Sequence, residues 1–361
     1  MRFSNVHLRC VSRVLPGRIV TSQELEESLE PLYSRLRLSV GRLELMTGIR
    51  ERRFWNPGTM PSDAAVLAAK AALEKSGIDA SELQAVLFCG VSRDCAEPAT
   101  STAVVRKLGL SEDVLNFDIS NACLGVASGM LVLSSMIESG AISCGMAVTG
   151  ENAGPLVENT VARLNADAAM TRQALKHEFA SLTIGSGAAA VILGKDGAHR
   201  IRAISAASDC SHDDLCRGDA NGGMTDESAP VMSTDSHKLL TEGIKVAKRM
   251  WENLQGESPW NGQPPEIVCG HQVGKVHRDL LFQAIGLPSE LDFPIFPTTG
   301  NCGSASDGAR RRRRGRRPQA GNESRNVGNR KWHQFPGNCA GLVAAQYIFL
   351  NHNSLHINKL R

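Results

Sequence analysis

The stretch Asp118-Ile119-Ser120-Asn121-Ala122-Cys123-Leu124-Gly125-Val126-Ala127-Ser128-Gly129-Met130 decides how this chain is organised. Val114 to Phe117, just ahead of it, reads as a short buried strand. Small and apolar residues with helical spacing follow it to about Ile137. Cys123 therefore sits where a strand hands over to a helix. A thiol there meets the first unpaired N–H groups and the positive end of the helix dipole, so its pKa is expected to fall. Gly125 and Gly129 each cost about 1 kcal/mol of helix propensity against Ala. That cost implies close packing against another backbone, or room kept for a substrate. The competing reading is a buried structural cysteine, the usual fate of the residue.

Outward from this turn, strands and helices alternate. Val6–Val14 and Leu83–Cys89 read as strands, and Ile142–Thr149 as another ending at Glu151-Asn152. Thr21-Ser22-Gln23-Glu24 fits a capping box, with a helix to about Tyr33. Val40–Met46, Ala64–Lys75 (capped by Ser62-Asp63) and Thr100–Leu108 read as further helices, and Leu164–Ala180 as a polar, mostly helical excursion. Leu182–Leu193 is strand-like, broken at Gly185-Ser186-Gly187, which lacks nucleotide-loop spacing and is assigned to a tight backbone approach. Asp196-Gly197-Ala198-His199 marks a seam. Beyond it come a strand at Ile201–Ala206, a loop-like Asp209–Ser233, an amphipathic helix at Ser236–Leu254 and a strand at Glu266–Cys269. A helix at Lys275–Ile285 and a strand-like Phe293–Phe296 come next. The pattern is α/β, and the two parts, 1–197 and 198–361, echo each other coarsely.

Composition narrows the function. The chain has 361 residues, 42% of them hydrophobic, and a formal charge of only +3, too small to imply a nucleic-acid partner. Seven arginines between Arg310 and Arg317 carry the excess of positive charge. Ten scattered cysteines without a CxxC pair fit reduced usage rather than a disulfide scaffold or a zinc site. No signal peptide or transmembrane run is visible, so a cytoplasmic protein is expected.

A cysteine nucleophile needs a proton acceptor and donors aimed at the developing oxyanion. His271 follows a buried strand directly, and Asn301 lies in a glycine-flanked loop after a strand-like segment. Imidazole and carboxamide can both direct N–H groups at a thioester oxygen and so stabilise an enolate without a metal. Glu97, in an irregular loop before Pro98, can serve as general base if burial raises its pKa. Asp94 is expected to pair with Arg93. Each residue also has a plain reading: a core histidine, a turn asparagine, a surface acid.

Together, Ala122-Cys123, Gly270-His271-Gln272 and Gly300-Asn301 with Ser304-Ala305-Ser306 resemble the 3-oxoacyl-acyl-carrier-protein synthase III group of thiolase-fold condensing enzymes. Val91-Ser92-Arg93-Asp94, Glu97-Pro98 and Leu215-Cys216-Arg217-Gly218 are most similar to the OleA-type branch of olefin biosynthesis. The resemblance implies a thiolase-like fold: two duplicated βαβαβαββ halves in a five-layer αβαβα arrangement. The first half would carry Cys123, the second His271 and Asn301. It also implies a homodimer in which Glu97 reaches the partner's active site. There it would support non-decarboxylative Claisen condensation of two acyl-CoA thioesters, through an acyl-cysteine, to a β-keto acid or thioester. Coenzyme A thioesters are then substrates, with no permanently bound cofactor, and Arg50, Arg217 and Ser304 are candidate contacts for them. The alternatives are a decarboxylating 3-oxoacyl-acyl-carrier-protein synthase III, with acyl carrier protein as second carrier, and an inactive binding or scaffold homologue.

The resemblance covers residues 1–306. The Arg-rich segment 307–332 departs from it and is expected to be exposed or disordered, its abrupt onset pointing to a disturbed reading frame. Gly337–Gly341 with Leu342–Leu350 can supply a late strand.

Overall fold

The fold is known from a computed structural model. It describes residues 1–218, 231–257, 265–271 and 273–306, and the strand backbones of 338–343 and 347–351. The Arg-rich segment 307–332 lies outside the described residues.

The chain opens with β1 (His7–Val14) and β2 (Arg18–Thr21). The expected capping box is present: Thr21 Oγ1 accepts from Glu24 N, and the Glu24 carboxylate accepts from Thr21 N at 2.7 Å. The helix it starts is shorter than the sequence suggests. α1 (Ser22–Ser28) stops at Leu29 and α2 (Glu30–Leu36) begins anew, with Pro31 in its first turn. Proline lacks the N–H that a continuous helix would need there. α3 (Arg42–Thr47) ends at left-handed Gly48, and β3 (Glu51–Phe54) pairs with β2. α4 (Pro61–Ser76) is capped by Asp63, whose carboxylate accepts from Met60 N.

The central part runs β4 (Ala85–Phe88), α5 (Thr100–Leu108), β5 (Leu115–Asp118), α6 (Gly125–Glu138) and β6 (Cys144–Glu151). Next come α7 (Gly154–Ala166), α8 (Leu175–Glu178), β7 (Gly187–Gly194) and β8 (His199–Ala206). A small ribbon of β9 (Cys216–Gly218) and β10 (Met232–Thr234) precedes α9 (Ser236–Glu257). The remaining elements are β11 (Ile267–Gly270), α10 (Lys275–Ile285), α11 (Phe296–Thr299), β12 (Asn338–Val343) and β13 (Tyr347–Asn351).

Among the described residues one sheet runs in the order β11-β13-β12-β8-β1-β7-β6-β4-β5. β4 is parallel to both β5 and β6, whereas β6, β7 and β1 are antiparallel neighbours. Period-two alternation sets the layers. Ala85, Leu87, Ala147, Val191 and Leu193 face α6, whereas Val86, Phe88, Met146, Val148 and Ile192 face α4 and α5. On the other side of α6, Ile201, Ile204 and the half-buried Ile267 close its core, and Ala203 and Val268 turn instead to α9 and α10. That one sheet curls around α6, so the layers run helix, sheet, helix, sheet, helix: an α/β thiolase-like fold in five layers. A bulge in β8, where Ile201 and Ile204 oppose Cys339 and Gly341, lets two residues three apart share one face.

α6 is the middle layer. Val126, Met130, Leu133 and Ile137 are each at most 3% exposed, and burial of each large side chain stabilises by roughly 1.5–3 kcal/mol. Ser128, Gly129 and Ser134 are buried on its other faces, as expected of a helix covered on both sides.

Candidate active site

Cys123 stands half-buried just ahead of α6, at the end of the turn that leaves β5. The turn is tight. Ala122 has φ 45°, a left-handed conformation rare for a residue with a side chain, and Leu124 N closes the turn on Asn121 O at 2.8 Å. Asn121 Nδ2 donates to Ser128 Oγ at 2.7 Å, tying the turn to the first turn of the helix. Gly125 brings the helix against β4: a Cβ there would lie 2.4 Å from Cys89 O and 2.9 Å from Ser304 Oγ. The propensity cost seen in the sequence thus has its expected cause, a close backbone approach.

Asn301 is 7% exposed and held by backbone bonds on both sides. Its N–H donates to Thr183 O and its carbonyl accepts from Gly185 N, each at 2.9 Å. Gly185 would place a Cβ 2.0 Å from Thr299 O, so Gly185-Ser186-Gly187 does serve a tight backbone approach. Gly300 is left-handed (φ 69°) with Thr183 O 2.8 Å from its Cβ position. The segment before Asn301 is one helical turn, α11, rather than the expected strand; Pro297 lies in its first turn, where a missing N–H costs nothing. The side chain is set as well: Asn301 Oδ1 accepts from Gly303 N at 3.1 Å, which directs the amide N–H groups the other way.

Ser304 brings the Asn301 loop to the turn that carries Cys123. It has no exposed surface, and its Oγ–H donates to Ala122 O at 3.0 Å. His271 is half-buried directly after β11, whose Ile267 packs against the α6 core. Glu97 is exposed on the loop between β4 and α5. Arg50 is exposed, its N–H on Pro297 O at 2.9 Å, and Arg217 is exposed on β9 at 3.9 Å from Asp213.

Three carboxylates hold the Glu97 loop, and sequence reasoning missed all three roles. Asp94 does not pair with Arg93; it accepts from Ser62 N (2.8 Å) and Ser62 Oγ (2.5 Å). Asp118 accepts from Thr100 N and Ser101 N, both at 2.8 Å, and so caps α5. Glu151, 5% exposed, accepts from Val91 N and Ser92 N at 3.1 Å, and from Ser304 N and Thr149 Oγ1 at 3.3 Å. Burial raises its pKa, against the pull of the Ser92 and Val91 N–H bonds. The signal for Glu151 was an acid closing the otherwise uncharged strand β6, all of whose residues are buried.

Neighbouring thiols differ from Cys123 in setting. Cys302 is 1% exposed, and burial pushes its pKa up to about 12. Burial likewise raises the pKa of Cys89, which lies under Gly129. Such thiols stay protonated and inert near neutral pH.

Comparison with known proteins gives the family. Residues 46–205 match the thiolase N-terminal domain family. The acyl-CoA:acyl-CoA alkyltransferase of Shewanella oneidensis is 39% identical over 314 residues, 85% of this chain and 89% of that protein. The chain belongs to the OleA-type family of thiolase-fold condensing enzymes. The Xanthomonas campestris acyl-CoA:acyl-CoA alkyltransferase is 32% identical over 85% of this chain and 89% of its own length. A crystal structure of X. campestris OleA superposes with a TM-score of 0.82 at 27% identity, covering 97% of this chain and 96% of that one. Another, of a variant with bound lauric acid and lauroyl-CoA, gives 0.77 at 30% identity, over 85% and 89% of the two chains. A β-ketoacyl-acyl-carrier-protein synthase III of Streptomyces coelicolor is more distant, at 28% over 304 residues, 81% of this chain and 83% of that protein.

Proposed function

We propose that this protein is an acyltransferase that joins two acyl-CoA thioesters by a Claisen condensation without loss of CO₂. The observation that carries the reading is the junction at Ser304, which holds the Asn301 loop against the left-handed turn presenting Cys123, in a chain 39% identical to an acyl-CoA:acyl-CoA alkyltransferase.

Cys123 Sγ attacks the carbonyl of the first thioester. CoA leaves as its thiolate and the acyl group stays on sulfur. The second acyl-CoA then loses an α-proton to a carboxylate, and the enolate oxygen is held by N–H donors. His271 and Asn301 supply them, an assignment supported by the Asn301 Oδ1–Gly303 N bond, which turns the amide N–H groups outward. The enolate carbon attacks the acyl-cysteine carbonyl, the Cys123 thiolate departs, and a β-ketoacyl-CoA is released. Glu97 is the base. Its exposure on one chain favours work in a second copy's site, and so a homodimer. β5 stands at the edge of the sheet with Leu115 46% exposed, which suits pairing with such a copy. Arg50 and Arg217 are the exposed cations offered to CoA, whereas Ser304, fully buried, contributes by bracing. Thiols at Cys10, Cys144 and Cys302, buried outside any disulfide, fit a cytoplasmic setting. Among the described residues no helix is long and apolar enough to cross a membrane. We also propose the halves 1–197 and 198–361 as the division of the chain, the first carrying the nucleophile and the second the donors.

The test offers the protein acyl-CoA alone and, separately, acyl-CoA with malonyl-acyl carrier protein. Intact mass should show one acyl group on the parent and none on Cys123→Ala. Product from acyl-CoA alone, abolished in Glu97→Gln while the acyl-cysteine persists, is the expected result. Product and CO₂ only with malonate would replace this reading by the decarboxylating one. An unmodified Cys123 in excess acyl-CoA would end both.

A further inference from the structure

Glu151 takes no part in the proposed chemistry, yet it is the most heavily bonded carboxylate at the site. It is almost fully enclosed at the end of β6, and the donors turned toward it come from three segments: Val91 and Ser92, Thr149 of its own strand, and Ser304. An enclosed carboxylate is tolerated when N–H and O–H groups fill its lone pairs, and bonds to an ionised acceptor are roughly twice as strong as neutral ones. Gly303 leaves the space: a Cβ there would sit 3.3 Å from the Glu151 carboxyl carbon. Ser304 in turn donates to Ala122 O, the carbonyl next to Cys123.

We infer that Glu151 is a positioning residue for the condensation, acting on Cys123 through Ser304 and, by its bonds to Val91 and Ser92, on the root of the Glu97 loop. The chain of contacts is short and continuous. The Glu151 carboxylate fixes Ser304 N, Ser304 Oγ fixes Ala122 O, and Ala122 takes the left-handed conformation in the turn that carries Cys123. The same carboxylate sets where the loop carrying Glu97 leaves β4. One buried carboxyl group therefore keeps the nucleophile turn, the Asn301 loop and the base-bearing loop in a fixed relation. A sub-ångström shift of such a group is felt strongly in rate, because reacting atoms must meet within a narrow range of distance and angle.

The inference rests on Cys123 being the proposed nucleophile, but thiol reactivity tests it directly. The measurement is the rate of Cys123 alkylation by iodoacetamide, followed by peptide mass, in the full-length parent, Glu151→Gln, Ser304→Ala and the double variant. Glu151→Gln keeps the shape, removes the charge and turns an NH₂ toward backbone N–H groups. Both single variants should slow alkylation by at least about fivefold; Ser304→Ala should keep a melting temperature close to the parent's, and Glu151→Gln should lower it, because buried N–H groups then face an NH₂. The double variant should be no slower than the worse single, since both act along one path. In acylation by acyl-CoA the maximal rate should fall roughly 10- to 100-fold, while the half-saturating concentration changes little. Single variants with the parent's rate, or effects that multiply in the double variant, would overturn the inference. If Glu151→Gln does not fold, Ser304→Ala alone decides by the same criterion. Should the parent take no acyl group while the alkylation rates still differ in this pattern, the proposed reaction falls and the positioning role stands.

Discussion

Gly129 and Cys89 touch across the central helix and its neighbouring sheet. A Cβ on Gly129 would stand 2.5 Å from Cys89 Sγ, whereas one on Gly125 would stand 2.4 Å from the carbonyl oxygen of Cys89. The two glycines meet the same residue but different parts of it. Gly129→Ala should destabilise by about 1–3 kcal/mol through overpacking, and Cys89→Ala, which removes the offending sulfur, should recover most of that. Gly125→Ala should not be rescued by Cys89→Ala, because the backbone cannot be trimmed. Urea melts of the four variants check this, and equal rescue at both positions would refute it.

Asp118 serves α5 rather than the nucleophile turn it adjoins. Its two oxygens accept from Thr100 N and Ser101 N at 2.8 Å. Asp118→Ala should cost about 0.5–2 kcal/mol, the usual value of a lost helix cap. It should also loosen the Glu97 loop at its far end. Product formation is therefore expected to fall more than the rate at which Cys123 takes its acyl group, and equal losses in the two steps would contradict this role.

Alkaline pH should weaken the fold through Cys302 and Tyr33. Burial holds the Cys302 pKa up to about 12, and burial with the nearby Glu26 charge raises that of Tyr33. A raised folded-state pKa means the unfolded chain loses its proton first. The stabilising contribution is complete below the unfolded values and drains away as pH rises toward the folded ones. The melting temperature should decline above about pH 9, where an unfolded thiol ionises, and Cys302→Ala should decline less steeply. A flat profile in both proteins would count against it.

Arg52 is fully buried, with Nη2 on Ser22 Oγ at 3.0 Å and, among the described residues, no hydrogen-bond partner for Nε or Nη1. Desolvation lowers its pKa to about 10, only partly offset by Glu26. Glu26 is satisfied independently, by Tyr33 Oη, Gly41 N and Leu43 N. The charge of Arg52 is therefore a net burden near neutral pH. Arg52→Met should be neutral or stabilising by roughly 1–4 kcal/mol. A loss of more than about 2 kcal/mol in chemical denaturation would mean that the cation has further work to do.

Much of the fold could be read from local pattern. α5 and α10 lie where periodicity and the flanking glycines put them, and Thr21 and Glu24 form the box their spacing promises. The failures have physical causes. Leu164–Ala180 reads as mostly helical, yet within it only Leu164–Ala166, the end of α7, and α8 (Leu175–Glu178) are α-helical; α7 itself starts at Gly154, where Pro155 suits a helix start. The apolar Phe293–Phe296 run suggests a strand, yet Phe296–Thr299 forms one helical turn, whose Pro297 O accepts from Arg50 N. Of the proposed site residues, Cys123 stands out in the sequence because a strand-to-helix turn leaves a local mark, and His271 and Asn301 because family motifs surround them. Glu151, Asp94 and Asp118 do not, because their partners lie 60, 32 and 18 residues away in sequence. No local pattern encodes such contacts.

The bonds that Glu151, Asp94 and Asp118 make around residues 91–101 run to main-chain N–H groups and to Ser62. None of them uses the side chains of Cys95, Ala96 or Glu97. The loop is thus a mounting bracket whose course is independent of the tool bolted to it. A designer who exchanges Glu97 for a shorter acid or an imidazole changes the implement and leaves its address unchanged.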